Sequence, residues 1–265
     1  MKQKRVGAFS WEALRKEAIR VAEKEPLLKN LLEQLVIKHD TFEQALTAIL
    51  ANRCLFAHEG INLHQAIASA LDKSKSIAAS AADDLVAIVE KDPATGTFLD
   101  PLLFYKGYHS LELYRIAHWL WLDGQRYLAC YIQSRVSQLY GVDIHPAAQI
   151  GRGIFIDHAT GLVVGETAIV EDNVSFLHGV TLGGTGKETG RRHPTIKKNC
   201  LLGANATVLG NIVVGEGSII GAGSVVLHAV PPHSLAAGVP AANKGKIKIA
   251  EPANSMNQIF DDYMI

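Results

Sequence analysis

Cysteine is scarce in this chain, with Cys54, Cys130 and Cys200 the only three among 265 residues. An odd number of widely spaced cysteines gives no disulfide framework, and no Cys-x-x-Cys pair offers zinc ligands. None of them stands beside a histidine or in a glycine elbow, which disfavours a cysteine nucleophile. The first residues show no apolar run before a small-residue cleavage site, so we expect reduced thiols in a cytoplasmic protein.

Net charge and long apolar runs are lacking too. The 26 Lys and Arg residues balance the 26 Asp and Glu residues. This balance disfavours nucleic acid or an anionic membrane as the main partner. No stretch of roughly 18 uninterrupted apolar residues occurs, so no membrane span is expected.

The first half of the chain has the periodicity of amphipathic α-helices. Apolar residues recur three or four positions apart in SWEALRKEAIRVAEKE and in SLELYRIAHWLWLDG. Thr41 and Gln44 form a capping-box pattern, and Gly124 and Gly141 suit helix C-termini. We therefore predict an α-helical domain over residues 1–140.

From Ile144 the period changes to six. Aliphatic residues recur at that spacing, with one interruption, at Ile144, Ile150, Ile156, Leu162, Ala168, Val174, Val180, Ile196, Leu202, Val208, Val214, Ile220 and Val226. All of these positions except Ala168 hold Ile, Leu or Val. Such repeats are typical of a β-helix, in which three units of six form one coil, so about four coils are expected. The glycines and β-branched residues exclude an α-helix here.

The interruption is the stretch LGGTGKETGRRHPTI. Val180 and Ile196 are one repeat plus about ten residues apart, so about ten residues should loop out. Loops inserted in repeat folds are surface features that often bind ligands. The Gly-Lys pair is not a phosphate loop, because no Ser or Thr follows it and no βαβ pattern surrounds it. The glycines instead offer backbone N–H groups to a ligand.

Polar residues are sparse in the coils, and the candidates for chemistry are Asp143, Asp157, His158, His178, Arg192 and His193. The Asp157-His158 pair interrupts a β-helix side, which costs packing unless the pair has a role. A histidine oriented by a carboxylate can act as a general base. For His178 we favour packing or a subunit contact. A zinc site would have to recruit ligands from neighbouring subunits, and we expect no metal.

Several motifs then resemble one enzyme family. GVDIHPAAQIG, DHATGLVVGETA, VTLGGTGK, RRHPTI and AAGVPA in the coils, with EPLL, DPA and SLELYRIAHWLW in the helical half, are similar to serine O-acetyltransferase. The resemblance covers most of the chain and implies an α+β fold. The helical domain is followed by a left-handed parallel β-helix of hexapeptide repeats over residues 141–245. That β-helix carries an extruded loop, and a flexible C-terminal tail follows over residues 246–265.

The resemblance implies transfer of acetyl from acetyl-CoA to the hydroxyl of L-serine, the first step of cysteine synthesis. No permanently bound cofactor is implied. His158 matches the general base and Asp143 its carboxylate partner. The residues that match the serine site are Asp92, Pro93, Asp157, Arg192 and His193. Asp92 has a simpler interpretation from its position alone, because an Asp-Pro pair often ends a helix.

The acetyl-CoA site implied by the resemblance is a groove lined by small residues. Its matching positions are Gly184, Thr185, Ala204 and Ala222. Two positions depart from the pattern, since Ile219 and Ala242 stand where many relatives have a lysine and an arginine. Lys244 or Lys246 would then have to meet the phosphates of CoA.

The resemblance also implies partners. Trimers of the β-helix would join into hexamers through the helical domains. L-Cysteine would inhibit by resembling serine. The tail ending in Ile265 would insert into O-acetylserine sulfhydrylase. Three alternatives stay open, namely a hexapeptide acetyltransferase for a sugar or antibiotic hydroxyl, a non-catalytic scaffold, and a γ-type carbonic anhydrase.

Overall fold

The computed structural model describes residues 8–54, 61–186 and 189–258. Within these residues a helical half precedes the strands. Its helices are α1 Trp11–Lys24, α2 Lys29–Leu32, α3 Phe42–Cys54, α4 Leu63–Lys73, α5 Lys75–Lys91, α6 Leu99–Phe104, α7 Lys106–Leu122 and α8 Arg126–Tyr140. A 3₁₀ turn at Pro26–Leu28 and a π turn at Glu33–Ile37 flank α2. No helix of the described residues is long and apolar enough to cross a membrane.

The helix ends follow their capping residues. The backbone N–H of Gln44 donates to Thr41 Oγ1 at 3.3 Å before α3, as the capping box predicts. Gly124 and Gly141 adopt φ of 83° and 66° just beyond α7 and α8. Glycine tolerates this left-handed conformation, which turns the chain away from the helix axis.

The strands are short and stack into three sheets. They are β1 Asp143–Ile144, β2 Gln149–Ile150, β3 Phe155–Ile156, β4 Val163–Val164, β5 Ile169–Val170, β6 Ser175–Phe176, β7 Thr181–Gly183, β8 Thr195–Ile196, β9 Leu201–Leu202, β10 Thr207–Leu209, β11 Val213–Val214, β12 Ile219–Ile220, β13 Val225–Val226, β14 Ser234–Gly238 and β15 Ala241–Lys246. The sheet orders are β1-β4-β7-β10-β13 (sheet A), β2-β5-β8-β11 (sheet B) and β3-β6-β9-β12-β14-β15 (sheet C). All pairs are parallel except β14 with β15.

This topology is a left-handed parallel β-helix with the three sheets as its sides, which confirms the predicted fold. Four coils are complete, and β13, Val230 and β14 form a fifth. One aliphatic or aromatic residue per side points inward from each coil. On sheet A the inward stack is Ile144, Val164, Leu182, Val208 and Val226, all buried.

The six-residue phase predicted for Leu162 to Val180 is wrong by two residues. The strand partner of Ile144 is Val164, and Leu162 is a buried corner residue instead. Six residues, 157–162, connect β3 to β4, whereas four residues, 145–148, connect β1 to β2. This corner therefore holds two extra residues, and His158 and Ala159 within it adopt positive φ of 55° and 58°.

The extruded loop is correspondingly shorter than predicted. Twelve residues, 183–194, connect the inward Leu182 to β8, against the usual four, so the insertion has eight residues and not ten. The sequence count had merged the two insertions, because a buried corner residue and a buried strand residue look alike in a hydrophobic pattern.

The helical half is joined to the first coil by a buried ion pair. Arg115 of α7 lies with its Nη2 2.5 Å from Asp84 Oδ2 of α5. The same guanidinium donates to Gly151 O at 2.7 Å, and Asp84 Oδ1 accepts from the N–H of Ile154 at 2.7 Å. These bonds cross from helices to coil, so they fix how the two halves meet.

The C-terminal segment is packed over its described part. β15 runs antiparallel to β14, and a short helix, α9 Pro252–Ser255, lies against α5 with Ala253 fully buried. The first part of the predicted flexible tail is therefore ordered in this structure. Residues 259–265, including Ile265, lie outside the described residues.

Candidate active site

The predicted site residues lie on two edges of the β-helix. The His158 edge is where sheet C turns into sheet A, and it carries residues 157–162, 177–180, 203–206 and 221–224. The loop edge is where sheet A turns into sheet B, and it carries residues 145–148, 165–168 and 183–194.

Asp157 and His158 form an acid–base pair at the first corner. His158 Nε2 lies 3.8 Å from Asp157 Oδ1, and the side chains of His158 and Asp157 are 78% and 27% exposed. Burial raises the pKa of Asp157, nearby Asp92 raises it further, and His158 opposes the shift. The imidazole is thus open to a substrate while its carboxylate neighbour is partly shielded.

Asp92 approaches this corner from the helical half. It follows α5, as the Asp-Pro pattern predicts, and its Oδ1 accepts from the N–H of Ala94 at 2.8 Å. Its Oδ2 accepts from the Thr95 hydroxyl at 2.8 Å and from the Tyr105 hydroxyl at 3.1 Å. Pro93 lies in the turn between α5 and α6. These bonds fix the Asp92 carboxylate in its turn and to the residue before α7, and the charge of Asp92 adds to the effect of burial in raising the pKa of Asp157.

The corner itself is braced by the start of α7. A Cβ at Gly107 would lie 2.1 Å from the carbonyl oxygen of Ile156, so only glycine permits this close approach of helix and coil. The Lys106 ammonium next to it donates to the Thr160 hydroxyl. Sequence gave no signal for either contact, because both depend on the packing of the two halves.

His158 heads a column along its edge. Counted forward from sheet C, the strand registers place His158 level with His178, Ala204 and Ala222 in successive coils. Counted back from sheet A they place Thr160 level with His178, because this corner holds two extra residues. The His158 and His178 rings are in edge-on contact with centroids 6.4 Å apart, and the two alanines are half-buried. With roughly 4.8 Å between coils, the column runs about 14 Å from His158 to Ala222. Beyond His178 the column presents only alanine side chains, Ala204 and Ala222, so a narrow chain could lie along that part.

Arg192 and His193 lie on the loop edge. Arg192 Nη2 is 2.6 Å from Glu166 Oε2, an ion pair between the extruded loop and the coil before it. The bond to Arg192 lowers the pKa of Glu166. Sequence analysis did not single out this glutamate as the neighbour of Arg192, although it stands in the quoted motif DHATGLVVGETA.

His193 is held by Thr167. The Thr167 N–H donates to His193 Nδ1 at 3.1 Å, and the Thr167 hydroxyl lies 2.8 Å from the same nitrogen. Nδ1 is therefore an acceptor, which places the proton of the neutral ring on Nε2. Burial, followed by the charge of Arg192, lowers the pKa of His193. A neutral His193 offers an N–H donor beside the Arg192 cation.

The remaining predicted residues divide between the edges. Gly184 and Thr185 stand at the base of the extruded loop, on the loop edge and not on the column with Ala204 and Ala222. Asp143 begins β1, and its Oδ1 accepts from Gln133 Nε2 at 2.7 Å. Among the contacts of the described residues, the acid paired with His158 is Asp157.

One chain does not bring the two groups of residues together. Sheet A separates the edges by about five residues of extended chain, or roughly 17 Å. Asp92, Asp157 and His158 stand at one side of it, and Arg192 and His193 at the other. Each edge therefore carries half of the predicted serine site.

The two departures flagged from sequence lie apart from both halves. Ile219 is 1% exposed and packs in an apolar cluster with Leu177, Leu201 and Leu235. Ala242 is exposed on β15, as are Lys244 and Lys246. Ile219 is a packing residue in this chain and offers nothing to a phosphate.

The described residues contain no group of three or more His, Cys, Asp and Glu side chains arranged to hold a metal ion. The Cys200 thiol is buried, and burial raises its pKa to about 12. A thiol that stays protonated is a poor nucleophile.

Two family profiles match this chain. The profile described as "Serine acetyltransferase, N-terminal" matches residues 10–113. The profile described as "Bacterial transferase hexapeptide (six repeats)" matches residues 193–228. The first covers the helical half and the second covers coils of the β-helix.

Individual relatives match over nearly the whole length. A serine acetyltransferase of Salmonella typhimurium is 48% identical over 252 residues, which are 95% of this chain and 92% of the relative. The crystal structure of serine acetyltransferase from Vibrio cholerae is 50% identical, with a TM-score of 0.92 over 95% of this chain and 98% of that one.

Two further solved relatives are complexes. A serine acetyltransferase in complex with cysteine is 47% identical, with a TM-score of 0.91 over 94% of this chain and 98% of that one. The serine acetyltransferase of Brucella abortus in complex with coenzyme A is 45% identical, with a TM-score of 0.86 over 89% and 95%. Identity of this level along almost the full length confirms the resemblance seen in the sequence: the chain belongs to the serine acetyltransferase family.

Proposed function

We propose that this chain transfers the acetyl group of acetyl-CoA to the hydroxyl of L-serine, giving O-acetyl-L-serine and CoA in the first step of cysteine synthesis. The observation that carries the proposal is the column on the His158 edge. An exposed histidine with an acidic neighbour stands at the head of a path lined by His178, Ala204 and Ala222. Acetyl-CoA is a co-substrate, and no permanently bound group is needed.

The reaction needs a base because a serine hydroxyl is a poor nucleophile at neutral pH. His158 takes the hydroxyl proton while the serine oxygen attacks the thioester carbonyl carbon. The tetrahedral intermediate then expels the CoA thiolate, and the imidazolium returns the proton to sulfur. This sequence balances without an acyl-enzyme. General-base catalysis of this kind contributes about 10²–10⁴-fold.

Two carboxylates are candidates to stabilise the imidazolium form of His158. Asp157 lies 3.8 Å from it, and Asp143 is the partner implied by the family pattern. Asp143→Asn and Asp157→Asn separate the two. The partner of the imidazolium should lower kcat when replaced, whereas a residue that holds the serine ammonium should chiefly raise the KM for serine.

Serine is a zwitterion, so its site needs charges of both signs. Asp92 and Asp157, with Pro93 in the adjoining turn, would hold the ammonium, and Arg192 with the neutral His193 would hold the carboxylate. Arg192 is paired with Glu166 in the single chain, so the substrate carboxylate would share or replace that contact.

Because the two halves of the proposed serine site lie on separate edges of one chain, a complete site requires association of subunits. We propose a trimer of β-helices in which the loop edge of one subunit faces the His158 edge of the next. Gly184 and Thr185 then form one wall of the acetyl-CoA groove, and Ala204 and Ala222 form the other. The helical domain, residues 1–140, would join trimers into hexamers, and residues 141–245 would carry the chemistry.

Mixed oligomers test this arrangement. His158→Ala and Arg192→Ala subunits should each be inactive when expressed separately. Their co-expression should restore roughly a quarter of wild-type activity, because random mixing in a closed ring leaves that share of interfaces with both residues. Co-expression of two His158→Ala chains is the matched control. No restored activity would mean that each chain carries its own complete site.

The reaction itself is tested by thiol release from acetyl-CoA with L-serine, L-threonine, L-homoserine or a galactoside as acceptor. Release with L-serine that is lost in His158→Ala supports the proposal. Release with the galactoside would favour an acetyltransferase for a sugar or antibiotic hydroxyl. No release with any acceptor would favour a scaffold.

We further propose that L-cysteine inhibits the enzyme at the serine site and that the enzyme is located in the cytoplasm. The solved complex of a relative with cysteine supports the first, and the free Cys130 and Cys200 suit the second. Equal initial rates with and without L-cysteine, at subsaturating serine, would contradict inhibition.

The tail, residues 246–265, is proposed to bind O-acetylserine sulfhydrylase through Ile265. Deletion of Ile265 should abolish co-elution with that enzyme and leave acetyl transfer intact.

Lys244 or Lys246, exposed on β15, is proposed to meet the CoA phosphates in place of Ile219 and Ala242. Lys244→Ala and Lys246→Ala should then raise the KM for acetyl-CoA and not that for serine.

A further inference from the structure

Lys91 is a charged side chain placed almost wholly out of solvent. It is the last residue of α5 and is only 6% exposed. Its ammonium donates to Gly153 O at 3.1 Å and to Ser175 Oγ at 3.2 Å. Charged side chains are rarely buried to this degree without a specific partner. Gly153 belongs to the first coil and Ser175 to the second, so Lys91 ties the end of α5 to two coils.

The same hydrogen-bond chain continues into the C-terminal segment. The Ser175 hydroxyl donates to the carbonyl oxygen of Ala253 at 2.9 Å. Since that hydroxyl has one proton, it accepts from Lys91 and donates to Ala253, and the chain has a single direction. Ala253 is fully buried in α9, which packs against α5. Three separate parts of the sequence therefore meet at Lys91.

Burial disfavours the charged form of Lys91. Burial lowers the pKa of Lys91 to about 7, against the pull of the carboxylates of Asp84, Glu90 and Glu251. No ion pair with a carboxylate is formed by Lys91 among the described residues. A methionine would fill the same space without this desolvation cost, so the ammonium is better explained by what it holds.

Asp92 follows Lys91 directly and begins the turn beside His158. Its charge reaches Asp157, whose pKa is raised by burial first and by Asp92 in addition. Two carboxylates approach each other only on a rigid frame, since they repel. The bonds of Asp92 to Ala94 and Thr95 close its own turn, and its bond to Tyr105 reaches the residue before α7, which contacts the coils. The bonds of Lys91 add a second tie to the coils, directly at the end of α5.

We infer that Lys91 is a positioning residue for substrate binding: its bonds to Gly153 and Ser175 fix the end of α5 on the coils and thereby hold Asp92 opposite Asp157. This inference rests on the proposed role of Asp92 toward the serine ammonium. Lys91 does not touch the substrate, and its effect passes through the backbone of the next residue.

Lys91→Met tests the inference, because methionine keeps the length and loses the donors. The serine KM should rise at least about tenfold, while kcat and the KM for acetyl-CoA change less than about twofold. Ser175→Ala should also raise the serine KM. The double variant should have a serine KM no higher than that of Lys91→Met, since both substitutions remove the hydrogen bond between Lys91 and Ser175. Lys38→Met, an exposed lysine of the helical half, is the control.

Hydrogen exchange provides a second measurement that does not depend on the reaction. Lys91→Met should speed exchange of the amides of Asp92, Ala94 and Thr95 in the full-length protein, and Lys38→Met should not. Unchanged exchange there would overturn the positioning role. Faster exchange with an unchanged serine KM would overturn the link to serine. Failure of the wild-type protein to acetylate serine would overturn the proposed function alone.

Discussion

Gly165 and His193 are in contact across one turn of the β-helix, although 28 residues separate them in the sequence. A Cβ built at Gly165 would lie 2.0 Å from His193 Nε2. The glycine thus leaves the space that the imidazole occupies. The backbone there is not in the left-handed region, so the requirement is for space and not for conformation.

Gly165→Ala is therefore expected to fold and to displace the His193 ring. We expect kcat/KM for serine to fall by about 10²-fold, the cost of a misplacement near 1 Å at a reacting site. Steady-state kinetics check this, with His193→Ala as reference. If the glycine acts through His193, Gly165→Ala adds nothing to His193→Ala. A further loss in the double variant would contradict the prediction.

The backbone conformation that positions His158 at its corner should lower the stability of the folded protein. His158 has a φ of 55°, a conformation that costs a non-glycine residue about 1–2 kcal/mol. His158→Gly and His158→Ala both remove the base, but only glycine relieves the backbone. We expect His158→Gly to be more stable to urea than His158→Ala by about 1 kcal/mol at equal protein concentration. Equal stability of the two variants would contradict this expectation.

The joint between helices and coils contains one guanidinium and two carboxyl groups. Arg115 Nε lies 3.5 Å from Glu112 Oε2 and makes its shorter contact with Asp84. Arg115→Met leaves buried charge unpaired and should cost about 3–5 kcal/mol in unfolding free energy. Glu112→Gln should leave stability nearly unchanged at acid pH, below the pKa of an unfolded glutamate, because burial, then the charge of Asp84, raises the pKa of Glu112 well above its usual range and keeps the folded carboxyl protonated.

The pH dependence at this joint has a definite sign. An acid whose pKa is raised on folding binds its proton more tightly in the native state. The stability that it contributes is present below its unfolded pKa and is lost as pH rises through the folded pKa. Glu112→Gln removes this loss, so it should gain stability relative to wild type as pH rises. Urea unfolding of both proteins from acid through neutral to alkaline pH measures this difference, and a parallel decline of the two would be the contrary result.

The described cysteines should differ in reactivity. Cys130 is exposed on α8, whereas Cys200 is buried with its Sγ 3.1 Å from Gly215 O and its pKa raised to about 12. In a Cys54→Ser variant, a thiol reagent at pH 8 should modify Cys130 quickly and reach Cys200 only after unfolding. Mass spectrometry of the labelled peptides distinguishes the two. Fast labelling of Cys200 would mean that its coil opens readily.

Much of the architecture was accessible from sequence because it depends on local chemistry. The capping pattern at Thr41 and the glycine at Gly141 mark helix ends in the structure. The six-residue repeat identifies the β-helix, since each side must bury one aliphatic residue such as Ile144 or Ile220. The repeat misled only where an insertion preserved the hydrophobic pattern, at residues 157–162.

The candidate residues themselves were named from sequence, but their neighbours were not. No pattern in the amino-acid sequence predicts three of the contacts made by these residues. The contacts are those of Arg192 with Glu166, His193 with Thr167 and Asp143 with Gln133. Each contact joins residues from different coils or from a helix and a coil. Their pairing depends on how many residues each corner inserts, which shifts every later residue around the edge.

The sequence by itself determined which side chains are buried, where helices end and which family's motifs the chain carries, because hydrophobic period and capping act over a few residues. Only the tertiary structure decided that the charge of Asp92 acts on Asp157 and that His158 heads a column ending at Ala222. Only the tertiary structure, too, put Arg192 on another edge. A hexapeptide repeat determines which residues face the interior of the β-helix and which face outward, and it does so in the same way for each of the three sheets. The stacking of coils and the docking of α5 and α7 then select which outward residues become neighbours.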